Sequence, residues 1–321
     1  MSWPEIKAAN RKLREVSDGP IAEAWQEFTA TVERTVITPP YHLAILLKRI
    51  EQYRGTRPPG EIAILDHGCG GGLTLLYLAA RGYTNIYGVD VGGDHTIRNR
   101  ISTELLNHTE PRFMMYDGKR LPLGDNMIDI VFSQQVLEHV GDDVFDSYYA
   151  EECRILKPDG WAIHQVPHRL TPYDSHTRTW FIHYLPSPLH RAAGRLIGVE
   201  IPDHLNLRWP WRHRYAARRH IGSCQDLTLE RLTAATDFTY YDGPVRLRRL
   251  ISAILSLPLV GVWEQAPHAS FCLCKLTETT FRVGVWERRQ RALSRKWAVA
   301  GHQIPGIARA CRDLSIAHCS A

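Results

Sequence analysis

Between residues 61 and 167 the chain alternates short apolar runs with longer stretches in which apolar positions recur every three or four residues. Short apolar runs bounded by turn residues are typical of buried parallel strands, and the longer periodicity is typical of amphipathic helices. The predicted strands are residues 62–65, 86–89, 112–115, 128–132 and 161–166, and the predicted helices are 73–81, 94–107 and 143–156. This order predicts an α/β fold with a doubly wound, mostly parallel sheet.

The regions on either side of this core have different patterns. After residue 167 the alternation stops in a block that is rich in His, Arg, Trp and Pro, and it then resumes with apolar runs at 237–241 and 269–276, which are predicted to complete a seven-stranded sheet. The predicted organisation is an N-terminal helical segment (1–60), the core (61–167), an inserted cap (168–222), the end of the core (223–277) and a helical, basic C-terminal tail (278–321).

Four glycines stand within residues 68–72, between the first predicted strand and the first predicted helix. Helix N-termini present free backbone amides, so a ligand is expected at this turn. A dinucleotide-binding turn would require a glycine where Leu73 stands, and a Walker A loop would require Gly-Lys-Ser/Thr, which this stretch lacks. The turn therefore belongs to neither of these phosphate-binding types.

The pattern Asp66-x-Gly68-x-Gly70-x-Gly72 resembles the first motif of class I S-adenosylmethionine-dependent methyltransferases. Asp90 ends the second predicted strand 18 residues after the last turn glycine, and an Asp-Gly pair at 117–118 follows the third strand. Residues 121–140 and 151–167 also resemble the fourth- and fifth-strand segments of methyltransferases of type 11. Together these segments cover residues 61–167, about a third of the chain.

The resemblance implies a Rossmann-like methyltransferase core with S-adenosyl-L-methionine as the cofactor. It assigns the glycines to a tight turn under the methionine part, Asp66 to the amino group and sulfonium, Asp90 to the ribose hydroxyls and Asp117 to the adenine amine. The predicted cofactor-binding residues are Asp66, Gly68, Gly70, Gly72, Asp90, Asp117, Gly118 and Gln134.

Histidines are the candidate catalytic residues, because a hydroxyl acceptor must lose its proton as it attacks the methyl group. His139 lies in a stretch similar to the metal-binding Glu-x-x-Glu-His of ubiquinone-biosynthesis O-methyltransferases and small-RNA 2′-O-methyltransferases. Gln135 replaces the first glutamate, which weakens a hard-cation site. Helix packing, general base and metal ligand all stay open as roles of His139, and the predicted site includes no metal.

His168 and His176 follow the fifth predicted strand, at the end of the sheet where acceptors bind. Each is a candidate base, with a loop residue bonded to backbone carbonyls as the alternative. His164 stands within the strand and is predicted to belong to the core.

The net charge of +5 is unevenly distributed, since residues 168–222 carry nine Arg and no Lys and have a net charge of +6. Guanidinium groups bind phosphate and carboxylate, which predicts an anionic acceptor. Trp180, Trp209 and Trp211 could stack on sugar rings or anchor at a lipid interface. The segment 171–186 is also similar to one in methyltransferases found among bacterial surface-polysaccharide and lipopolysaccharide biosynthesis proteins.

These observations favour O-methylation of a hydroxyl on a sugar, glycolipid or other small molecule. RNA methylation is the first alternative, because interleaved arginines and aromatic residues also suit RNA. A catalytically inactive protein that binds S-adenosylmethionine and acts as a partner is the second.

The composition predicts a cytoplasmic protein, with peripheral contact at the inner face of the membrane as a further expectation. No apolar run approaches the roughly 20 residues of a membrane-spanning helix, and the first 30 residues contain no apolar leader. The seven cysteines form no CxxC pair, which favours reduced thiols. The apolar stretch 250–262 is predicted to pack on the sheet, with a membrane surface as the alternative.

Overall fold

The computed structural model describes residues 3–16, 20–35, 41–167, 169, 173–174, 176–202, 205–227, 230 and 279–284. The helices are α1 (Trp3–Glu15), α2 (Ile21–Thr35), α3 (Tyr41–Arg54), α4 (Leu73–Ala80), α5 (Thr96–Arg100), α6 (Phe145–Ile155), α7 (Ser187–Leu196) and α8 (Pro210–His220). The strands are β1 (Ile64–His67), β2 (Ile86–Asp90), β3 (Phe113–Met115), β4 (Ile128–Gln134), β5 (Leu156–Val166), β6 (Tyr173–Asp174), β7 (Thr179–Trp180), β8 (Ser223–Asp226) and β9 (Thr279–Gly284).

One sheet contains seven of these strands in the order β3-β2-β1-β4-β5-β9-β8. The five strands from β3 to β5 are parallel, whereas β9 pairs antiparallel with both β5 and β8. The order reverses between β1 and β4, and in open α/β sheets the crevice at the carboxyl ends of such a pair is where ligands bind. The topology therefore directs attention to the residues that follow β1, β2 and β4.

The predicted α/β fold, its five parallel strands and its flanking helices are confirmed. The predicted helix over 94–107 is shorter than expected, because α5 passes into a π-helical turn at Ile101–Leu105. The expected strands 237–241 and 269–276 lie outside the described residues. The prediction of a helical tail from residue 278 is wrong at its start, where Thr279–Gly284 pairs with β5 as a strand.

Helices cover both faces of the sheet, as the doubly wound prediction requires. Successive strand residues point to opposite faces, so Ile130 and Phe132 of β4 join the core formed with α1 to α4, and Val131 joins the core formed with α6 and α8. The N-terminal helices are attached through ring contacts such as Trp3 on Tyr77, whose centroids lie 5.6 Å apart. Within the described residues no helix has the length and apolar character needed to span a bilayer.

A buried aspartate of β4 ties the N-terminal helices to the sheet. Asp129 accepts hydrogen bonds from the Tyr53 hydroxyl of α3 (3.1 Å) and from the Ala63 backbone N–H before β1 (2.9 Å). Its carboxylate also contacts Arg57 at 3.3 Å and Lys157 at 2.6 Å. Both cations retain partial solvent exposure, so the main cost of losing this carboxylate falls on the buried amide and hydroxyl.

We expect Asp129→Ala to lower the free energy of unfolding by about 3 kcal/mol, because the Ala63 amide would lose its acceptor in the core. Urea unfolding followed by circular dichroism measures the change. Asp125→Ala is the control, since its carboxylate is exposed and, in the part of the chain that the structure describes, pairs only with Arg154; its removal should change stability by less than about 1 kcal/mol. Equal stability losses in the two variants would contradict this role of Asp129.

Candidate active site

The glycine turn between β1 and α4 leaves an open space beside the sheet. Gly68 and Gly72 have φ values of +91° and +68°, and a Cβ atom would lie 2.4 Å from Val136 in the first case and 2.6 Å from Arg98 in the second. Both positions therefore require glycine for the close approach of these side chains. At Gly70 (φ +45°) no heavy atom lies within 4 Å of an added Cβ, so the turn borders free space at that residue.

Asp90, at the carboxyl end of β2, holds this turn through its side chain. Its Oδ2 atom accepts a hydrogen bond from the Gly70 N–H (2.7 Å), and its Oδ1 atom accepts one from the Gly92 N–H (3.2 Å). Each carboxylate oxygen can accept a second hydrogen bond, so Asp90 remains available to ligand hydroxyls. The Asp90 carboxylate therefore holds the backbone of both the glycine turn and the loop that follows β2.

Asp66 lies beside Asp90 and is 5% exposed. Burial, and then the charge of Asp90, raise the pKa of Asp66 well above its usual range. Within the described part of the chain no hydrogen bond or ion pair engages this carboxyl group. A cationic ligand group would supply the missing partner and would favour the ionised form of Asp66.

The loop after β3 forms the far wall of the same space. Asp117 is exposed, and its Oδ1 atom accepts hydrogen bonds from the backbone N–H groups of Lys119 (2.9 Å) and Arg120 (3.1 Å), which lower its pKa. A Cβ atom on Gly118 would lie 3.6 Å from Val91, so this loop sits against the residue that follows Asp90. The predicted cofactor residues of β1, β2 and the β3 loop thus meet at one edge of the sheet.

Sequence reasoning missed the apolar part of this wall. Val91 and Met115 are 65% and 61% exposed, although both are large hydrophobic residues at the carboxyl ends of neighbouring strands. Exposed apolar side chains beside a polar cleft are typical of ligand sites with a flat apolar component. The signal available in the sequence was that Met115 ends one predicted strand and Val91 lies two residues beyond another.

Gln134 ends β4 on the other side of the turn. Its Oε1 atom accepts a hydrogen bond from the Thr74 hydroxyl of α4 at 3.3 Å. The next residue, Gln135, has φ +57° and donates its backbone N–H to Gln165 of β5 at 3.0 Å. The segment after this turn contains Val136, which lies against Gly68, and then Glu138 and His139.

Glu138, His139 and His176 form a cluster that begins two residues beyond Val136, the residue that lies against Gly68 of the glycine turn. The Glu138 carboxylate is fully buried, and His176 Nε2 lies 3.6 Å and His139 Nε2 lies 4.0 Å from its Oε1 atom. The two imidazole rings meet edge to face with centroids 5.8 Å apart. One potential ligand atom from each residue lies within 4.8 Å of the others, so the cluster also offers the donors of a metal site.

The two histidines of this cluster differ in their surroundings. His176 Nδ1 lies 3.2 Å from Asp174 Oδ1, and its backbone N–H donates to the same oxygen at 3.0 Å. Asp174, and then Glu138, raise the pKa of His176 to about 10, so it carries a proton at neutral pH. The His139 side chain is 41% exposed, whereas that of His176 is 24% exposed. Of the two, His139 has the more accessible ring.

The third predicted base, His168, lies outside the described residues. His164 is buried in β5, as predicted, and it belongs to a polar network behind the pocket. Glu152 of α6 lies 3.1 Å from His164 Nε2 and 2.8 Å from His67 Nδ1. Burial would raise the pKa of Glu152, but the two histidines outweigh burial and lower it to about 2.

This network supports the cofactor edge of the sheet. Ser133 lies 2.8 Å from His164 Nδ1, and the Tyr116 hydroxyl lies 2.8 Å from His67 Nε2. Tyr116 directly precedes the Asp117 loop, so buried hydrogen bonds join that loop to β1, β4 and β5. The network is buried, and its hydrogen bonds hold the Asp117 loop against the sheet.

A buried arginine of the cap, Arg208, forms hydrogen bonds with the core. Arg208 donates hydrogen bonds to the carbonyls of Leu137 (2.9 Å) and Val140 (2.7 Å), on either side of the Glu138–His139 pair. Its guanidinium also contacts the Asp142 carboxylate at 2.8 Å. The position of His139 therefore depends on a residue about 70 positions later in the chain.

A cleft of about 300 Å³ lies in the cap, and Arg208 and Asp142 are among the residues that line it. Arg169 donates to the carbonyls of His183 and Leu185 and lies over the Trp209 ring at 5.5 Å. The Arg212 side chain is exposed, and within the described residues it has no hydrogen-bond or ion-pair partner. The cleft is lined by Arg169, His183, His190, Arg208, Trp209 and Arg212, among others, and is predominantly basic.

We expect His176 to make the stability of the cap depend on pH. Because its pKa is raised to about 10, its contribution is complete below about pH 6.5 and is lost as the pH rises through 10. The difference in free energy of unfolding between wild type and His176→Asn should therefore shrink from pH 6 to pH 10, as measured by urea unfolding. His190→Asn is the control, since burial lowers the pKa of His190, the opposite direction from His176, so its contribution should not be lost as the pH rises towards 10. A constant difference for His176→Asn would contradict the assignment.

Comparisons with known proteins agree with this geometry. Residues 65–164 match the family model described as a methyltransferase domain. Ubiquinone biosynthesis O-methyltransferase of Rickettsia akari is 28% identical over 128 residues, which cover 39% of this chain and 47% of the relative. Cyclopropane-fatty-acyl-phospholipid synthase of Escherichia coli is 27% identical over 128 residues, covering 40% of this chain and 31% of the relative.

The chain thus spans at most about half the length of these curated relatives. Among solved structures, an S-adenosylmethionine-dependent methyltransferase from Mesorhizobium loti aligns with a TM-score of 0.41 and 16% identity over 73% of this chain and 97% of that chain. Residues 65–164 are therefore similar to a methyltransferase domain, and this match covers about a third of the chain.

Proposed function

We propose that this protein transfers the methyl group of S-adenosylmethionine to a hydroxyl of an anionic sugar, glycolipid or related small molecule. The observation that carries the proposal is the pairing of Asp66 and Asp90 beside the glycine turn, with His139 three residues beyond Val136, whose side chain lies against Gly68 of that turn. The basic cleft is joined to the base candidate through Arg208, which lines the cleft and bonds the carbonyls of Leu137 and Val140 on either side of Glu138 and His139.

The cofactor end of the pocket matches the charges of S-adenosylmethionine. The ammonium group and the sulfonium are cationic, and Asp66 is a buried carboxyl group that lacks a partner in the described residues. The ribose hydroxyls require acceptors, which the Asp90 oxygens provide while they also hold Gly70 and Gly92. A dinucleotide pyrophosphate would be repelled by the same two carboxylates.

In the transfer step, the acceptor oxygen attacks the methyl carbon in line with the carbon–sulfur bond. That bond breaks, its electron pair stays on sulfur, and S-adenosylhomocysteine leaves as a neutral thioether. His139 accepts the hydroxyl proton as the new carbon–oxygen bond forms and later releases it to solvent. His176, held by Asp174 and Glu138, positions the cluster and keeps the buried Glu138 charge balanced.

The cap cleft supports an anionic acceptor. Arg212 is exposed in the cleft, and the 46% exposed ring of Trp211 stacks on Trp209, which lines the cleft. Arginine and tryptophan are the side chains that bind a phosphate or carboxylate beside a sugar ring. The names of the two relatives, an O-methyltransferase and a phospholipid synthase, are compatible with an oxygen acceptor and with an amphiphilic one. An RNA acceptor is the alternative that the basic cap also allows.

Calorimetric titration with S-adenosylmethionine and S-adenosylhomocysteine tests the cofactor pocket. We expect Asp90→Ala to weaken binding by about tenfold or more, since it removes the ribose acceptor and releases the turn. Asp125→Ala, which removes an exposed carboxylate remote from the pocket, should bind like wild type. A folded wild-type protein that binds neither compound would contradict the proposal.

Methyl transfer from labelled S-adenosylmethionine to sugar nucleotides, glycolipids and RNA tests the acceptor and the base. We expect His139→Ala to lower kcat by about 10² to 10⁴-fold on a hydroxyl acceptor and to leave cofactor affinity unchanged. Activity should survive treatment with a chelator. Loss of activity on chelation, with recovery on adding a divalent cation, would instead make His139 a metal ligand, and transfer to RNA alone would overturn the acceptor class.

A further inference from the structure

Five aromatic residues of the cap form a continuous row at its surface. We define the aromatic row as Trp180, Phe181, Tyr184, Trp209 and Trp211. Successive ring centroids lie 5.8, 5.8, 6.3 and 4.9 Å apart, so each ring contacts the next. Trp180, Phe181 and Trp211 are 44%, 54% and 46% exposed. The row is therefore a surface feature of the folded protein.

The backbone keeps part of this row turned outward. Phe181 has φ +61° and ψ −18°, a left-handed conformation that is costly for a bulky side chain. Arg178, three residues earlier in the turn after β6, is also left-handed, with φ +56°. Trp180 pairs with Tyr173 at the open end of the β6–β7 hairpin, and the left-handed Phe181 follows it directly. A fold that retains such a conformation around exposed aromatic rings is expected to use them.

Helix α7 continues the apolar surface. Leu189 and Leu196 lie seven residues apart on one flank of the helix and are 57% and 88% exposed, and Ile197 after the helix is 56% exposed. The short turn Ile182–Tyr184 contacts both β7 and α7, which joins this flank to the aromatic row. Eight of the ten exposed large hydrophobic side chains among the described residues fall between positions 180 and 215. Their concentration in the cap distinguishes this surface from scattered exposed residues.

The charges around the apolar surface are almost all positive. Arg178, Arg191, Arg195 and Arg212 are exposed in the cap, and two of them stand four residues apart on α7. Within the described residues from 176 to 215, Glu200 is the only acidic one. Exposed aromatic and aliphatic side chains bordered by arginine are the composition of surfaces that bind the interface of anionic bilayers.

We propose that this face of the cap docks on an anionic lipid surface. Leu189, Leu196 and Ile197 have no role in stacking nucleic-acid bases, whereas acyl chains accept aliphatic side chains. A second copy of the chain is disfavoured as the occupant, because two faces of equal positive charge would repel each other. Trp and Phe occupy the headgroup level and the arginines pair with lipid phosphates.

The docking surface lies next to the cap cleft, since Trp209 belongs to the aromatic row and also lines the cleft. Resting on the proposed function, this placement identifies the acceptor class as an amphiphile, with an anionic headgroup in the cleft and an apolar part in the bilayer. The docking itself requires neither cofactor nor acceptor.

Co-sedimentation of the full chain with vesicles tests the docking. We expect binding to phosphatidylcholine vesicles that contain phosphatidylglycerol, weak binding to phosphatidylcholine alone, and a decrease with added NaCl. Trp180→Ser combined with Leu196→Ser should weaken binding by about tenfold or more, because it removes two exposed apolar anchors. S-adenosylmethionine affinity should remain unchanged in this variant, which separates a failure of docking from a failure of the proposed function.

The charge requirement has a matched control. Arg191→Glu with Arg195→Glu should also weaken binding by about tenfold or more. Lys7→Glu with Arg11→Glu makes the same charge change at the same spacing on an exposed part of α1 and should bind like wild type. The proposal is overturned if wild type fails to bind the anionic vesicles, if both charge variants lose binding equally, or if the apolar variant changes the oligomeric state and leaves vesicle binding intact.

Discussion

Two carboxylates at the ends of neighbouring parallel strands are the constraint on which the site depends. Residue 66 pairs in register with Gly88 of β2, so Asp66 and Asp90 lie at the same edge of the sheet. They repel each other, and the fold tolerates them because Asp90 is bonded to two backbone amides while Asp66 has its pKa raised by burial. Such an arrangement is stabilised by a ligand with positive charge near Asp66 and hydroxyls near Asp90. S-adenosylmethionine has both of these features, whereas a cofactor with a pyrophosphate group would place negative charge beside the two carboxylates.

The chemistry beside this pocket depends on a second, long-range interaction. Asn206 donates its backbone N–H to the Glu138 carbonyl at 2.6 Å, and Arg208 bonds the carbonyls on either side of the Glu138–His139 pair. The hairpin that carries His176 then closes over the buried Glu138 side chain. Cap and core therefore share the histidine cluster, so a change in the cap can alter the position of His139 without changing Asp66 or Asp90.

The cofactor half of the site could be predicted from the sequence because its determinants are local. The turn glycines follow β1 directly, Asp90 and the Asp117–Gly118 pair end their own loops, and parallel topology brings these ends together. The cluster of Glu138 with His176 could not be predicted, because it joins residues 38 positions apart through a cap that has no repeating pattern. The strand at Thr279–Gly284 was missed for a similar reason, since it pairs with β5 from more than 100 residues away and its sequence lies at the start of a basic stretch.

A crystal structure of the protein with S-adenosylhomocysteine bound is the most direct test of the central claim. The account predicts the ribose hydroxyls within hydrogen-bond distance of the Asp90 carboxylate, the ammonium group next to Asp66 and the sulfur facing the His139 side of the pocket. A ligand bound elsewhere, or one whose amino group lies away from Asp66 while the ribose avoids Asp90, would contradict it.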